Sequence, residues 1–551
     1  MNRLFSLLII LSLSLSVFAQ HPKKAVKAYE AAEQAFMKRD YKKAHQQLLK
    51  ALVEDPNYAE AWLLEGEIGL ETKDDDLAIL GYENALASDS MVFPPAAITL
   101  ARLYDKRGSY KREMWLLRWF QSKAAGNAFN DATVAEMLEL ATFRSWALEH
   151  PVSFSPENLS FNINSDNDEY VNMLSFDGSQ LLFTRKMPVG NGYQKEFLFV
   201  SYCDEKGQWS EPQQLVFSDF PEDLDPGAAF ISADGRKLYL TGCGWGRDGG
   251  CDLYISELES GIWSAPRKIK GNVNTGSWES QPCVSSDGRE LFFVSRRNGN
   301  ADIYCCRRNG DGSWSEPQNL GAPINTKGTE MAPFLHPDGR TLYFSSDKHV
   351  GMGGFDLFMS RRGEDGQWQT PVNLGFPINT NSDEINFFVA PDGKTAFISS
   401  QRDGGAGGYD IYTFELPEEI RSDSANYLST VDVVELAPGD ALVLQNIQFE
   451  YNSAALTDDS QAGIMMLTDF LKRNPELRVE LAGHTDNVGS ENYNRKLSAD
   501  RAEVVRKALI DNGIDEMRLT AQGYGSTKPL APNDSEAHRA MNRRTEMIII
   551  N

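Results

Sequence analysis

The sequence is short of positive charge, because 54 Lys and Arg residues stand against 78 Asp and Glu residues and leave a formal net charge of −24. Long-range repulsion therefore makes nucleic acid and a bare anionic lipid surface poor partners. Beyond the N-terminal segment, no apolar run is long enough to span a bilayer. Histidine is scarce too, and the seven histidines include no pair at metal-binding spacing in the middle of the chain.

Cysteine is also rare, and all of it lies in the middle of the chain. The six residues are Cys203, Cys243, Cys251, Cys283, Cys305 and Cys306. Cys243 and Cys251 flank a glycine-rich hairpin turn, so they either pair across it or remain free, and their C-x7-C spacing is too weak to indicate zinc. Of the neighbours Cys305 and Cys306, we expect one to be buried and the other exposed on a strand.

The N-terminus indicates an exported protein. Residues 1–19 have the features of a secretory signal peptide: Arg3 supplies a positive charge, an apolar core runs from Leu4 to Val17, and Ala19 ends a small-residue cleavage site. We therefore expect a mature chain that starts at Gln20 and is soluble in a compartment where disulfides form. No cysteine stands at the cleavage site, which argues against a lipoprotein.

The length of 551 residues predicts several domains, since a single hydrophobic core stops growing at roughly 250 to 300 residues. After the signal peptide, we expect a helical region at 20–150, a repetitive β region at 152–417, a polar and acidic linker at 418–440 and an α+β domain at 441–551. The predicted fold class is thus multidomain.

Residues 20–150 are predicted to form helical repeats. Three residue pairs recur 34 positions apart, which is the tetratricopeptide (TPR) period: Ala44/Ala78, Leu52/Leu86 and Asp55/Asp89. The large residues expected to fill the seams between repeats are Trp62, Leu63, Tyr82, Leu100 and Tyr104. A third, looser unit begins near Pro94, and a closing helix is expected at 131–149. Such a TPR solenoid either binds proteins in its concave face or serves as a spacer that packs on the next domain.

The middle region repeats at a longer period. Asp-Gly turns occur 51 to 57 residues apart, at Asp177, Asp234, Asp287, Asp338 and Asp392. Each turn lies between two short apolar runs, which is typical of a β-hairpin. A third strand follows with an Asp-x-Tyr/Phe pattern, as at Asp302, and then a Trp-x-x-Pro element, as at Trp314, is expected to form the fourth. Four strands per unit are typical of propeller blades.

The fifth unit lacks its fourth strand, because the sequence reaches Pro417 without a Trp-x-x-Pro element. The segment 157–169, before the first unit, matches 318–330, so we expect it to supply that strand and to close a five-bladed β-propeller without an exposed edge. The units resemble the PD40 repeats, a family of blades related to WD40. The first unit departs from the pattern, with Phe197 where the others have Asp.

Four glutamates begin units of this region, namely Glu169, Glu279, Glu330 and Glu384. Either they ring a central channel and collect a cation, or each caps a loop by hydrogen bonding. The sequence places no nucleophile, base and orienting acid together, although propellers do host enzymes built from residues on separate blades.

The C-terminal region is predicted to be a small α+β sandwich, with helices on one face of a mixed sheet. We expect strands at 442–451, 478–482, 519–524 and 545–550 and helices at 458–474 and 493–512. The region contains four motifs in order: Gly483-His-Thr-Asp486, Asn494-x-x-Leu-Ser-x-x-Arg501-Ala, Gly523-Tyr-Gly525 and Asn542-Arg-Arg544.

These motifs resemble the OmpA-type peptidoglycan-binding domain, which is shared with peptidoglycan-associated lipoproteins and flagellar motor stator proteins. The resemblance implies a ligand, the diaminopimelate side chain of the stem peptide, which carries an ammonium and a carboxylate on one carbon. It implies that Asp486 holds the ammonium and that Arg501 holds the carboxylate through its planar fork. Thr485, Asn487 and Asn494 are expected to shape the loop and add hydrogen bonds.

Two points stay open at this site. Of Arg543 and Arg544, one is expected to approach the ligand and the other to brace the sheet, and Arg543 is the candidate binding residue. Taken alone, Asp486 and Arg501 are also compatible with a turn residue and a helix-surface ion pair. No general acid, base or metal set accompanies them, so the domain is expected to hold the wall without cutting it.

The order of the regions resembles a group of periplasmic proteins of Gram-negative bacteria, some associated with the type IX secretion machinery. Those proteins have a further small β-sandwich, for which the short linker here leaves no room. We expect a non-catalytic scaffold without cofactors that is associated with the outer membrane, binds peptidoglycan and recruits proteins through its TPR and propeller regions. Two alternatives stay open: a propeller-based hydrolase or lyase localised to the cell wall, and a sensor whose propeller binds a small ligand.

Overall fold

The computed structural model describes residues 21–124, 128–176, 178–190, 192–204, 207–221, 224–233, 235–244, 250–259, 262–402, 404–423, 438–444, 447–450, 452–457, 460–534 and 536–550. The segment predicted to be a signal peptide, the turn residues Asp177 and Asp234 and most of the expected linker therefore lie outside the described residues. The chain divides into two compact units, Met1–His150 and Pro151–Asn551.

The first unit consists of consecutive α-helices joined mostly by short turns. They are α1 (Lys23–Met37), α2 (Tyr41–Glu54), α3 (Ala59–Thr72), α4 (Asp75–Ser88), α5 (Ala96–Lys106), α6 (Tyr110–Ala124) and α7 (Ala128–Glu149). The closing helix expected at 131–149 is α7, which starts three residues earlier.

The same turn separates α1 from α2 and α3 from α4. Arg39 and Lys73 have left-handed φ angles of 60° and 59°. The residues that follow them, Asp40 and Asp74, each accept a hydrogen bond from a backbone N–H in the first turn of the next helix. An aspartate at this position satisfies an N–H that the helix itself leaves unpaired. The 34-residue spacing found in the sequence is thus present in the backbone of these two turns.

The large residues expected in the seams do fill the interior of the helical unit. Four of the five are buried in one apolar cluster, and Trp62 packs against that cluster. Ala44 and Ala78 are fully buried. Gly66 faces the ring of Tyr82, and a β-carbon at Gly66 would lie 3.0 Å from the ring atoms. The small residues therefore set how closely α3 and α4 approach.

The second unit contains five small antiparallel sheets within its described residues. Sheet 1 has β2 (Asp168–Leu174), β3 (Gln180–Gly190), β4 (Tyr193–Tyr202) and β5 (Gln213–Gln214). Sheet 2 has β6 (Leu224–Ile231), β7 (Lys237–Gly244), β8 (Cys251–Glu259), β9 (Ile262–Trp263) and β10 (Arg267–Lys268). Sheet 3 has β11 (Glu279–Val284), β12 (Glu290–Asn298), β13 (Asn300–Arg307) and β14 (Gln318–Asn319).

The last two of these sheets follow the same plan. Sheet 4 has β15 (Glu330–Leu335), β16 (Thr341–Ser346), β17 (Asp356–Arg361) and β18 (Val372–Asn373). Sheet 5 has β19 (Asn386–Val389), β20 (Thr395–Ser400) and β21 (Asp410–Glu415), completed by β1 (Glu157–Asn158). A short helix, α8 (Ser160–Ile163), follows β1.

In sheets 1 to 4 a strand begins just after the proline of the Trp-x-x-Pro element, and in sheet 2 Trp263 also belongs to the short strand β9. Trp314 makes an isolated bridge to Arg308, and β14 starts at Gln318, after Pro317. The prediction that the element itself is the fourth strand is therefore wrong by a few residues. Proline has no N–H to donate, so a ladder of backbone hydrogen bonds cannot run through it.

The expected pairing of the first segment with the last unit is present. Strand β1 pairs antiparallel with β21, and Glu157 lies opposite Thr413. Beyond β1, the side chain of Asn164 both donates to and accepts from the backbone of Ile411, at 3.0 and 2.8 Å. Residues more than 240 positions apart in sequence are thereby joined in one sheet.

Side-chain and backbone hydrogen bonds also connect each sheet to the next. The bonds are Thr184 Oγ1 to the Gly227 carbonyl, Gln281 N–H to Thr241 Oγ1, Ala332 N–H to Gln281 Oε1, Ser345 Oγ to the Ile385 carbonyl and Val171 N–H to Ser399 Oγ. In sheet numbers they join 1 to 2, 2 to 3, 3 to 4, 4 to 5 and 5 to 1. The five sheets are thus connected in cyclic order.

The four glutamates that begin the repeat units act as loop caps. Each is buried and accepts hydrogen bonds from both the backbone N–H and the hydroxyl of a Ser or Thr four residues earlier. The pairs are Ser165/Glu169, Thr275/Glu279, Thr326/Glu330 and Thr380/Glu384. Across the described residues, no group of three or more His, Cys, Asp or Glu side chains could hold a metal ion. The hydrogen bonds from the Ser and Thr residues are those expected of loop caps, the second alternative.

The cysteines behave largely as expected. Cys243 and Cys251, at the facing ends of β7 and β8, form a disulfide bond. Cys306 is fully buried on β13, and Cys305 is half-buried instead of exposed.

The chain leaves sheet 5 along a path that is fastened to sheet 4. A short 3₁₀ helix, Glu418–Ile420, follows β21. The Tyr343 hydroxyl donates to the Ile420 carbonyl at 2.9 Å, and Arg361 donates to the carbonyl of Arg421. Both donors belong to sheet 4, so the first residues of the linker are held by side chains of a neighbouring sheet.

The C-terminal region has one mixed sheet, in the order β22, β25, β23, β24. Its elements are β22 (Ala441–Val443), α9 (Ser460–Arg473), β23 (Val479–His484), α10 (Glu491–Asp511), β24 (Leu519–Gly525), α11 (Glu536–Asn542) and β25 (Thr545–Ile549). Strands β23 and β24 are parallel, and the other pairs are antiparallel. Residues of α9 and α10 form an apolar cluster with this sheet. The predicted α+β arrangement is therefore confirmed.

The strand expected at 442–451 is wrong in length, because among the described residues of this segment the sheet strand is Ala441–Val443. Within the described residues that follow, Glu450 N–H donates to the Ala455 carbonyl and Phe449 bridges Leu456. The chain thus turns back on itself. The Ser460 hydroxyl accepts a hydrogen bond from the Gln448 N–H and donates one to the Gln448 carbonyl, so it satisfies backbone groups that a neighbouring strand would otherwise pair with.

The helical unit buries a carboxyl group at Glu113, near the start of α6. Oxygen Oε2 of Glu113 is buried and has no hydrogen-bond partner. Burial, reinforced by nearby Asp105, raises the pKa of Glu113 to about 8, and Arg144 only partly opposes this. The folded protein thus holds a proton that the unfolded chain releases near its ordinary value of 4.5.

We expect Glu113→Gln to stabilise the helical unit increasingly as pH rises from about 4.5 to 8. In this window the unfolded chain ionises while the folded chain stays protonated, so the wild type loses at most about 1.4 kcal/mol of stability per pH unit. The amide needs no ionisation and avoids this loss. Calorimetric unfolding of the mature protein at pH 5 and pH 8 measures the difference. Glu139→Gln, the same change at an exposed residue of α7, is the control and should show no such pH dependence; a pH-independent effect of Glu113→Gln would contradict the assignment.

Candidate functional site

Asp486 lies just beyond the end of β23, in the loop that leads into α10. The backbone N–H of Thr485 still donates to the Gly525 carbonyl of the parallel strand β24, so the start of the loop is fixed to the sheet. Ser490 ends the loop as the N-cap of α10, its side chain accepting from the Tyr493 N–H. Both ends of the loop that carries Asp486 are therefore anchored.

Helix α10 lies directly on β23 and β24, because glycines leave room for it. A β-carbon at Gly483 would overlap the carbonyl of Ser498, and one at Gly523 would overlap the backbone of Ala499. The fully buried Ser498 side chain accepts from the Gly525 N–H at 2.9 Å. This contact fixes the position of α10, and hence of Arg501 on it, relative to β24 and to the neighbouring β23, which ends two residues before Asp486.

The carboxylate of Asp486 is bound on both oxygens. Oδ1 accepts from the Val488 N–H at 2.9 Å, and Oδ2 accepts from Nη1 of Arg543 at 2.8 Å. The same Arg543 nitrogen lies 2.9 Å from Oε1 of Glu536. The contact with Val488 is the turn interaction considered from sequence alone, but the ion pair with Arg543 goes beyond it.

Three further predicted residues surround Asp486. The Thr485 hydroxyl and the Asn494 side-chain amide donate to the backbone carbonyl of Asp486, at 3.0 and 3.1 Å. The Asn487 N–H donates to Oδ1 of Asn533, and its exposed side chain contributes nothing to these bonds. Thr485 and Asn494 thus contact the loop through their side chains, and Asn487 contacts Asn533 through its backbone.

Asn542, from the last sequence motif, organises the segment opposite this loop. Its Oδ1 accepts the N–H groups of Leu530 and Ala531, and its Nδ2 donates to the Ala531 carbonyl and to Asn533. Asn542 is fully buried. It thus holds the segment that places Asn533 against Asn487.

Arg501 is held by a different part of the chain. Its Nε donates to the carbonyl of Ser453 at 2.9 Å, and its guanidinium carbon lies 4.9 Å from the centre of the Phe449 ring. The neighbouring Asn452 accepts a hydrogen bond from the Tyr493 hydroxyl at 2.6 Å. Tyr493 therefore ties the segment that supports Arg501 to the start of α10, beside the Asp486 loop.

Behind the loop, His484 and Arg544 form a buried polar group on the sheet. His484 stacks on Tyr524, and its Nε2 lies 3.2 Å from Glu546. Burial lowers the pKa of His484. Burial alone would raise the pKa of Glu546, but its contacts with His484 and Arg544 lower it to about 2. Arg544 thus braces the sheet, while Arg543 reaches Asp486.

Sequence reasoning missed several residues that support the site. Glu536 and Asn533 precede the last motif, Phe449 lies in the region wrongly expected to be a strand, and Ser453 lies two residues beyond that region. The sequence did offer a signal for Asn542, because it is the first residue of the Asn542-Arg-Arg544 motif. Asn533, Ser453 and Phe449 lie about 46 to 52 residues from their partners in sequence, and no spacing pattern links them. Glu536 is only seven residues from Arg543, but it lies outside the motifs.

The chemistry of the site is that of charge recognition. It offers a carboxylate, guanidinium groups and amides, which are the kinds of group that form charge-assisted hydrogen bonds with charged ligands. Within the part of the chain that the structure describes, no helix has both the length and the apolar character to cross a membrane.

Comparison with known proteins finds a family match that includes the residues of the candidate site. The model of the OmpA family matches residues 448–543. Over 101 residues the chain is 41% identical to outer membrane porin F of Pseudomonas fluorescens, covering 18% of this chain and 31% of that protein. Over 103 residues it is 37% identical to peptidoglycan-binding protein ArfA of Mycobacterium tuberculosis, covering 19% of this chain and 32% of that protein. The chain thus spans about a third of the length of these relatives.

Among solved structures, the peptidoglycan-associated lipoprotein from Burkholderia pseudomallei is 33% identical, with 19% of this chain and 87% of that chain covered and a TM-score of 0.18. The family match and the sheet and helices described above establish an OmpA-like α+β domain at the C-terminus.

We expect Asn542→Ala to destabilise the C-terminal domain by about 2–4 kcal/mol, because it removes a buried side chain and leaves backbone groups without partners. Urea unfolding followed by circular dichroism measures the loss. The control is Asn512→Ala, which removes one side-chain bond, to the Ala508 carbonyl, at the end of α10 and should cost less than about 1 kcal/mol. Equal effects of the two changes would contradict the role given to Asn542.

Proposed function

We propose that this chain is a non-catalytic periplasmic scaffold that holds an outer-membrane-associated assembly to peptidoglycan. Its C-terminal domain binds the wall through the diaminopimelate side chain of the stem peptide. One observation carries the proposal: an oriented carboxylate, Asp486, and an oriented guanidinium, Arg501, are held by separate parts of the chain on either side of one loop-to-helix junction.

The ligand end to be recognised carries an ammonium and a carboxylate on one tetrahedral carbon. Asp486 receives the ammonium, and Arg501 receives the carboxylate through its planar fork. Charge-assisted hydrogen bonds of this kind are short, and the two-pronged geometry makes them selective. Thr485, Asn487 and Asn494 keep the loop in shape, and Arg543 contributes through Asp486.

The names of similar proteins support the wall-binding role. One relative is described as a peptidoglycan-binding protein and another as an outer membrane porin; they match 19% and 18% of this chain, and the OmpA family model matches residues 448–543. We infer the same binding class for this domain, and a place at the outer membrane for the assembly that it serves.

We assign the recruitment of protein partners to the other two regions. The turn that repeats 34 residues apart supports a TPR solenoid at 20–150. The cyclic order of hydrogen bonds and the pairing of β1 with β21 support a closed five-bladed PD40 propeller at 152–417. Both architectures offer broad surfaces for binding proteins.

The wall-binding role predicts that the mature protein sediments with diaminopimelate-type peptidoglycan and that Asp486→Ala and Arg501→Ala each weaken this. Loss of one charge-assisted interaction costs about 1.5–3 kcal/mol, or roughly 10- to 150-fold in affinity. Arg501→Lys should fall near the alanine variant, because an ammonium cannot reproduce the fork. Arg506→Lys, on the same helix but paired with Glu503 and Glu516, is the control and should bind normally. Equal retention of all variants would refute the site.

The closed propeller predicts a disulfide between engineered cysteines on β1 and β21. Glu157→Cys with Thr413→Cys, in a Cys203→Ser and Cys305→Ser background, should cross-link on oxidation and stabilise the protein by roughly 2–4 kcal/mol. Glu157→Cys with Glu415→Cys, two residues out of register on the same strand, should not, because the α-carbons lie too far apart. Non-reducing mass spectrometry and thermal unfolding report the result, and cross-linking of both pairs or of neither would argue against the closure.

A further inference from the structure

Arg543 occupies an unusual place for a residue beside an ammonium-binding carboxylate. Its Nη1 bridges two acids, Oδ2 of Asp486 at 2.8 Å and Oε1 of Glu536 at 2.9 Å. A positive charge in contact with Asp486 repels the ammonium that Asp486 is proposed to receive. The structure gives two reasons why the site can contain the positive charge of Arg543.

One reason is geometric. An ionised carboxylate offers about four acceptor positions, and the hydrogen bonds described for Asp486 use two of them, one from Val488 and one from Arg543. Arg543 thus leaves acceptor positions on the carboxylate while fixing the direction in which they point. In this role it is a positioning residue that acts through Asp486.

The other reason is electrostatic, and it comes from Glu536. Because Nη1 of Arg543 is shared between two carboxylates, the charge of Glu536 offsets the positive charge next to the ammonium position. The second oxygen of Glu536 binds Arg539, whose other bond goes to the Asn533 carbonyl. Arg539 is thus one ion pair further from Asp486 than Arg543 is.

The fold places these groups together through a single short helix. Glu536 is the first residue of α11, and Arg543 follows its last residue, Asn542. Asn542 is fully buried and hydrogen-bonded to the preceding segment. It therefore fixes α11, with Glu536 at its start and Arg543 after its end, as a single rigid element.

We propose that Glu536 is a specificity-determining residue of the wall-binding site: acting through Arg543, it keeps the Asp486 side attractive to an ammonium. This inference rests on the proposed function, because it assumes that Asp486 receives the ammonium of the diaminopimelate end. Removing the charge of Glu536 leaves Arg543 uncompensated, and the site then discriminates against cationic ligand ends.

The test compares three soluble stem peptides by isothermal titration calorimetry with the mature protein. The first is L-alanyl-γ-D-glutamyl-meso-diaminopimelate, the second has lysine as its third residue and so lacks the side-chain carboxylate, and the third is the first with its side-chain amine acetylated. Glu536→Gln should weaken the first two roughly two- to five-fold, the range for an exposed charge, and leave the third unchanged. The side chain of Glu536 is 68% exposed, so this variant keeps the fold, which circular dichroism checks.

Two further variants separate the possible causes. Glu516→Gln makes the same change in an ion pair with Arg506 and should leave all three affinities unchanged. In an Arg543→Met background, adding Glu536→Gln should have less than half its effect, because the charge that Glu536 offsets is gone. An equal effect in both backgrounds would overturn the role of Arg543.

The outcomes also separate this inference from the proposed function. If the wild type binds the first peptide and loses it with Asp486→Ala, but Glu536→Gln affects all three peptides equally or none, the wall-binding role stands and the role of Glu536 is refuted. If the wild type does not bind the first peptide, or Asp486→Ala binds it normally, the proposed function and this inference fail together.

Discussion

The close packing of α10 on β23 and β24 is the constraint on which the candidate site depends. Without side chains at Gly483 and Gly523, the helix backbone comes directly against the strands, and Ser498 fastens it to Gly525. Asp486 stands where β23 ends and Arg501 stands on α10, so this one contact sets the geometry between the two charges. Every other support, from Asn542 to Tyr493, adjusts loops around a frame that the helix and strands already define.

The sequence was a good guide to this frame and a poor guide to what surrounds it. The motifs located Thr485, Asp486, Asn494 and Arg501 because they are spaced along a strand end and one helix, where local geometry follows from sequence distance. The partners of Asp486 and Arg501 come from segments about 50 residues away, so only the tertiary fold brings them together. The strand expected at 442–451 failed for a similar reason, since Ser460 takes the backbone groups of Gln448.

The repeated sheets were easier to predict, because repetition states the same local rule several times. The repeat of Asp-Gly turns gave the hairpins, and the match between 157–169 and 318–330 gave the pairing of β1 with β21. The fourth strand was misplaced by a few residues because the sequence prediction centred it on the recurring Trp-x-x-Pro pattern of the units. The proline of that pattern has no N–H for the backbone hydrogen bonds of a sheet, so the strand begins after it. The buried glutamates had two readings, and only the hydrogen bonds with Ser and Thr hydroxyls decided between them.

Under the proposed function, in which the C-terminal domain binds a rigid wall, the hydrogen bonds from sheet 4 to residues 420 and 421 have a mechanical consequence. A tensile load entering through the linker meets the bonds from Tyr343 and Arg361 before it reaches β21. Two sheets then share the load, so it does not fall on β21 alone. Strand β21 is also paired on both sides, with β20 and with β1. Mechanical resistance of the repeated sheets would thus be set by a handful of side-chain bonds at the exit of the chain.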